Sequence, residues 1–134
     1  MKKVAYVSLA VIAAILLATA CASSRNHDIS SEFISKESGT YAGYLFWNLD
    51  SDVHELSKEF LSIVNSDQVM SSVRFSKVEV ISMNDKTREK AVRAFGIEKS
   101  PTLLVFDTEK LIWQTSDLRD LYKWADQRKE ETSR

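Results

Sequence analysis

The chain of 134 residues holds one cysteine, Cys21, so no disulfide can form within it. Whatever it folds into must be held together by an apolar core alone, a demand that many small exported domains escape through cross-links. The residues after Cys21 suffice for one such core and amount to a single domain. Three glycines and one proline are few for a chain of this length. An all-β fold with many tight turns would ask for more, so a mixed helix and sheet domain is expected. Basic and acidic side chains nearly balance, 18 against 19, and no Lys/Arg cluster follows the first three residues. Nucleic acid is therefore not an expected partner.

Read along its length, the chain alternates strand-like and helix-like segments. Glu32 to Lys36 holds the apolar pair Phe33 and Ile34, and fits either a short helix capped by Ser30 or Ser31 or a strand. Tyr41 to Leu49 is aromatic, aliphatic and uncharged, as a buried central strand requires. Val53, Leu56, Phe60, Ile63 and Val64 then fall on one face at helical spacing, with Asp52 and Glu55 placed as a capping box. Asn65 to Ser72 reads as a polar connection, and Phe75 to Met83 alternates as a second strand. Lys86 to Phe95 is a short helix, ended by Gly96 in a left-handed turn. Thr102 to Phe106 and Leu111 to Thr115 form a closing hairpin, with Leu111, Trp113 and Thr115 expected on one face. Asp117 caps a last helix with Leu118, Leu121, Tyr122 and Ala125 inward and Trp124 off the stripe. Residues 128–134 are a charged tail, expected to fray. The order strand, helix, strand, helix, strand, strand, helix implies an α/β sandwich with a mixed sheet.

Before this domain, Lys2 and Lys3 precede a run from Val4 to Ala20 that is almost wholly apolar and ends in small residues before Cys21. Charged, apolar and small-residue regions in that order make a secretory signal. An uncleaved anchor is the competing reading, although the run is short for a span and the sequence turns polar at once. Leu17-Ala18-Thr19-Ala20-Cys21 resembles the lipobox of bacterial lipoproteins. The resemblance implies removal of residues 1–20 and attachment of diacylglycerol and palmitate-type acyl chains to Cys21. Acyl chains add about 0.8 kcal/mol per buried methylene, and two chains hold a protein stably on a membrane. Residues 21–31 would then be the lipidated cysteine and a flexible tether. About ten such residues span roughly 17–20 Å. The expected location is the extracytoplasmic face of a bacterial cell membrane.

Ala94-Phe95-Gly96-Ile97 followed by Ser100-Pro101-Thr102-Leu103-Leu104-Val105-Phe106 resembles the thioredoxin family, where a helix ends in an aromatic-Gly-Ile step and Pro-Thr opens the next strand. Phe46-Trp47 matches the end of that family's central strand. The resemblance implies a thioredoxin-like three-layer sandwich over residues 32–127, with Pro101 cis and facing the site. It also places the two active-site thiol positions on Ser51 and His54, and the buried proton-relay carboxylate on Leu45. A thiolate is the nucleophile of thiol–disulfide exchange, and a serine hydroxyl cannot take its place. The expectation is a domain without redox chemistry, cofactor or enzymatic role.

Two uses remain for that corner. Asp50, Asp52, His54 and Glu55 are legitimate metal ligands, but acids in a first helical turn also serve as caps, and no second histidine accompanies them nearby. A Ser51–His54 nucleophile pair has no elbow or oxyanion-hole motif beside it. In redox-active relatives the groove beside the proline receives an extended peptide. Trp47, Ser51, His54, Ser100 and Pro101, with Val53 at the rim, would border that groove here. The expected role is a protein-binding or scaffolding module of the cell envelope, with the membrane and an envelope protein as partners. A structural lipoprotein associated with peptidoglycan is the competing class.

Overall fold

The computed structural model describes residues 29–134. The expected signal region 1–20, Cys21 and the expected tether as far as Asp28 lie outside the described residues. Four strands, β1 (Tyr41–Trp47), β2 (Phe75–Ser82), β3 (Thr102–Phe106) and β4 (Leu111–Thr115), form one sheet in the order β2-β1-β3-β4. β1 runs parallel to β2 and antiparallel to β3, which is in turn antiparallel to β4. The parallel pair is bridged by α1 (Val53–Val64) and α2 (Asp67–Met70). A 3-10 turn, Lys86–Arg88, continues into α3 (Glu89–Ala94), and α4 (Asp120–Thr132) closes the chain. Among the described residues no helix is long and apolar enough to cross a membrane.

The sheet divides two apolar layers because successive side chains of a strand point to opposite faces. On one face Leu45, Leu103 and Val105 meet Phe60 and Ile63 of α1, Val69 of α2, and Leu121, Trp124 and Ala125 of α4. On the other, Ala42, Tyr44, Phe46, Leu104 and Phe106 meet Phe33, Ala91 of α3 and Ile97. The mixed α/β sandwich is the one expected from the order of segments.

Several local expectations are corrected. The central strand stops at Trp47, and Leu49 is 85% exposed. Asn48 ends the ladder by turning the chain, its side-chain oxygen accepting from the Asp50 amide at 2.8 Å and its carbonyl from the Ser51 amide at 3.1 Å. The supposed connection 65–72 contains α2, capped by Ser66, because fully buried Val69 gives that turn something to pack. Phe33 belongs to a helical turn and not a strand, with the Phe33 and Ile34 amides both on the Ser30 carbonyl. Leu111 and Trp113 do not share a face: the β3–β4 register shifts so that Phe106 pairs with Leu111 and Val105 with Trp113. Ile112 is the extra residue, and it sends Leu111 to one layer and Trp113 to the other.

Asp117 holds the turn before α4 through the Arg119 amide at 3.0 Å, while the cap position itself is Arg119. Trp124 is buried, not exposed. It stacks on Trp113 at 5.3 Å and takes the Tyr41 ring edge-on at 5.2 Å. Nor is the end frayed from residue 128: Arg128 lays its guanidinium over the Trp124 ring at 5.4 Å, and the helix continues to Thr132.

Candidate functional site

The candidate corner lies where β1 ends, α1 begins and β3 starts. The ladder pairs Phe46 with Thr102, so Trp47 and Pro101 are the next residues outward on adjacent strands. The Ser100–Pro101 peptide bond is cis, the geometry the resemblance implied. Ser100 turns its hydroxyl back to the end of β1, accepting from the Asn48 amide at 2.9 Å. The same oxygen lies 2.8 Å from the Ser51 hydroxyl. Two segments about fifty residues apart in sequence are thus tied by one side-chain oxygen. Behind them the Thr102 hydroxyl donates to the Lys99 carbonyl at 2.6 Å, closing the turn that presents the proline. The Trp47 carbonyl accepts from the Met83 amide at 2.7 Å, which fixes the end of β1 against the loop after β2.

Asp52 starts α1. Its carboxylate accepts from the His54 amide at 2.9 Å and the Glu55 amide at 3.3 Å, which satisfies two donors that a helix end otherwise leaves bare. Only this half of the anticipated capping box is made. His54 is exposed, and its imidazole makes no hydrogen bond or ion pair to a described residue. The Ser51 hydroxyl is paired with Ser100 and not with His54, so the Ser51–His54 pair is not made. Among the described residues no three of His, Cys, Asp and Glu come together so as to hold a metal ion.

Of the residues expected at the site, Ser51, Ser100 and Pro101 are joined directly, and Trp47 is half-buried beside them. His54 is the second residue of α1 and is exposed to water. Leu45, at the position implied for the relay carboxylate, is fully buried in the apolar layer against α1 and α4. Two residues escaped the sequence reading: Asn48, whose amide Ser100 captures, and Leu49, an exposed aliphatic on the turn that carries Ser51. Polar Asn48 followed by two further turn formers, Asp50 and Ser51, was the available signal that the strand had ended.

No family model matches the chain, and no curated protein matches it. Solved structures do. Thioredoxin f2 of Chlamydomonas reinhardtii superposes with a TM-score of 0.53 at 16% identity, covering 75% of this chain and 90% of that one. Spinach chloroplast thioredoxin f, in its short form, gives 0.53 at 9% identity, covering 75% and 83%. A thioredoxin of Malassezia sympodialis gives 0.51 at 15% identity, covering 69% and 77%.

The fold is thioredoxin-like. At these identities the likeness speaks for the architecture alone. The thioredoxin-like sheet accounts for the position of the corner: it lies at one end of the two central strands, where β1 hands the chain to α1 and a cis-proline opens β3.

Proposed function

We propose that the chain is a membrane-anchored lipoprotein whose thioredoxin-like domain carries out no thiol chemistry and works as a non-enzymatic protein-binding module in the bacterial cell envelope. The observation that carries this reading is the hydroxyl pair Ser51–Ser100 at 2.8 Å beside the cis Ser100–Pro101 bond. The place where the resemblance puts a nucleophilic sulfur holds an alcohol already committed to a hydrogen bond. What remains is a recognition surface. The ladder of β3 begins at Thr102, so the backbone of Ser100 stands outside it and is free to pair with an extended segment. Half-buried Trp47 before the turn and the 85%-exposed Leu49 on it supply apolar contact. The apolar run before Cys21 and its lipobox-like ending support attachment to a membrane.

The test is a cross-linked pull-down of the lipidated protein from envelope extracts, repeated with Trp47→Ala and Ser100→Asp. The same protein recovered with the native chain and lost with both variants, while circular dichroism stays native, supports the reading. Capture that ignores both changes, or co-sedimentation with peptidoglycan that survives them, replaces it with a structural wall-associated role. Cys21→Ala should release the protein from the membrane fraction, and disulfide reductase activity in the native chain would refute the proposal.

A further inference from the structure

β2 is an edge strand, and among the described residues nothing pairs with its outer side. Its eight residues, Phe75-Ser76-Lys77-Val78-Glu79-Val80-Ile81-Ser82, contain no proline, and its one irregularity lies at the Phe75 end, where the register with β1 slips past Ser76. From Lys77 to Ser82 the edge is regular. Such an edge offers a row of unpaired amides and carbonyls, which proteins ordinarily blunt with charge or cover. Lys77 and Glu79 lie on one face of the sheet, 3.5 Å apart, flanking Val78 on the other face.

We propose that this edge pairs with the same edge of a second copy, antiparallel, about a two-fold axis through Val78. The charges select that register. In an antiparallel pair the residues directly opposite share a face of the sheet. A dyad at Lys77 or at Glu79 sets that side chain against its own copy, like against like. A dyad between two residues turns the apolar face of one copy to the charged face of the other. With the dyad at Val78, each Lys77 lies opposite the second copy's Glu79, the apolar layer that Val78 and Val80 pack against continues across the join, and the four-stranded sheet becomes one of eight. The two surfaces are one self-complementary patch, as a closed two-fold dimer requires. Glu79 also faces Arg88 of its own chain at 3.4 Å. The carboxylate therefore lies between two cations in the dimer.

Full-length protein in detergent, under reducing conditions so that Cys21 cannot bridge, is examined by sedimentation equilibrium. Native chain should show a monomer–dimer equilibrium. Lys77→Glu alone and Glu79→Lys alone each turn two opposite-charge pairs into two like-charge pairs, and each should weaken association about tenfold or more. An equimolar mixture of the two variants again sets a carboxylate opposite an ammonium at both positions, so it should associate although neither variant does alone. The double variant Lys77→Glu/Glu79→Lys should dimerise like the native chain. Circular dichroism and thermal melting confirm that each variant is folded. A native chain that stays monomeric overturns the proposal, as it would if another segment of the chain covered the edge. So does a dimer indifferent to both single changes, or a mixture that fails to associate.

Discussion

Replacing Trp124 with alanine separates the structure from a reading of the sequence alone. On the stripe defined by Leu118, Leu121, Tyr122 and Ala125, Trp124 falls outside, and its loss would cost little, since exposed substitutions stay within about 0.5 kcal/mol. In the structure only 3% of the residue is exposed, between the stacked Trp113 ring, the edge-on Tyr41 ring and the Arg128 guanidinium. A buried aromatic removes about 150–250 Å² from water, worth roughly 4–6 kcal/mol at 25 cal/mol per Å² as an upper bound. Cavity-forming replacements of this kind cost about 3–5 kcal/mol. For a domain near 100 residues that lowers the melting midpoint by roughly 15–25 °C. Urea titration followed by circular dichroism reads the change directly. Trp124→Phe should cost less than half as much, because the indole N–H has no partner among the described residues and its removal relieves an unpaired buried donor. A loss below about 1 kcal/mol for the alanine variant would refute the packing account of α4.

Two further outcomes follow from local geometry. Asp52→Ala removes the acceptor of the His54 and Glu55 amides and should cost about 1 kcal/mol in urea titration, with no change in bound metal by elemental analysis. Burial, and next the nearby Glu79 carboxylate, raise the Tyr44 phenol above its ordinary 10.0, while Arg88 lowers it. Its contribution is therefore complete below that value and lost as the pH rises through the raised one, so Tyr44→Phe should flatten the alkaline fall in stability seen by denaturant titration.

How far the fold could be read from residues depended on how much tertiary context each element needed. Thr102–Phe106 and Leu111–Thr115 are bounded by turn formers and occupy the expected residues. α1 is legible because twelve residues are enough for a helical period to show. α2 has four residues and one buried side chain, Val69, and no period exists in so short a piece. The end of β1 was masked by Leu49, whose apolar character continues the strand pattern while Asn48 has already turned the chain. The arc of α4 that faces inward is wider than one stripe, because Trp113 and Arg128 enclose Trp124 from two other directions. At the corner, Ser51 and Pro101 could be placed by motif spacing. The link between them could not, since the Ser100 hydroxyl reaches an amide 52 positions earlier in the chain.

The extra residue at Ile112 gives the closing hairpin a double allegiance. Because Leu111 anchors in one apolar layer and Trp113 in the other, peeling that hairpin away uncovers both halves of the interior together. Amide protection on the two sides of the sheet should then be lost in one cooperative step, and the domain has no outer layer that can loosen while its opposite number stays shut.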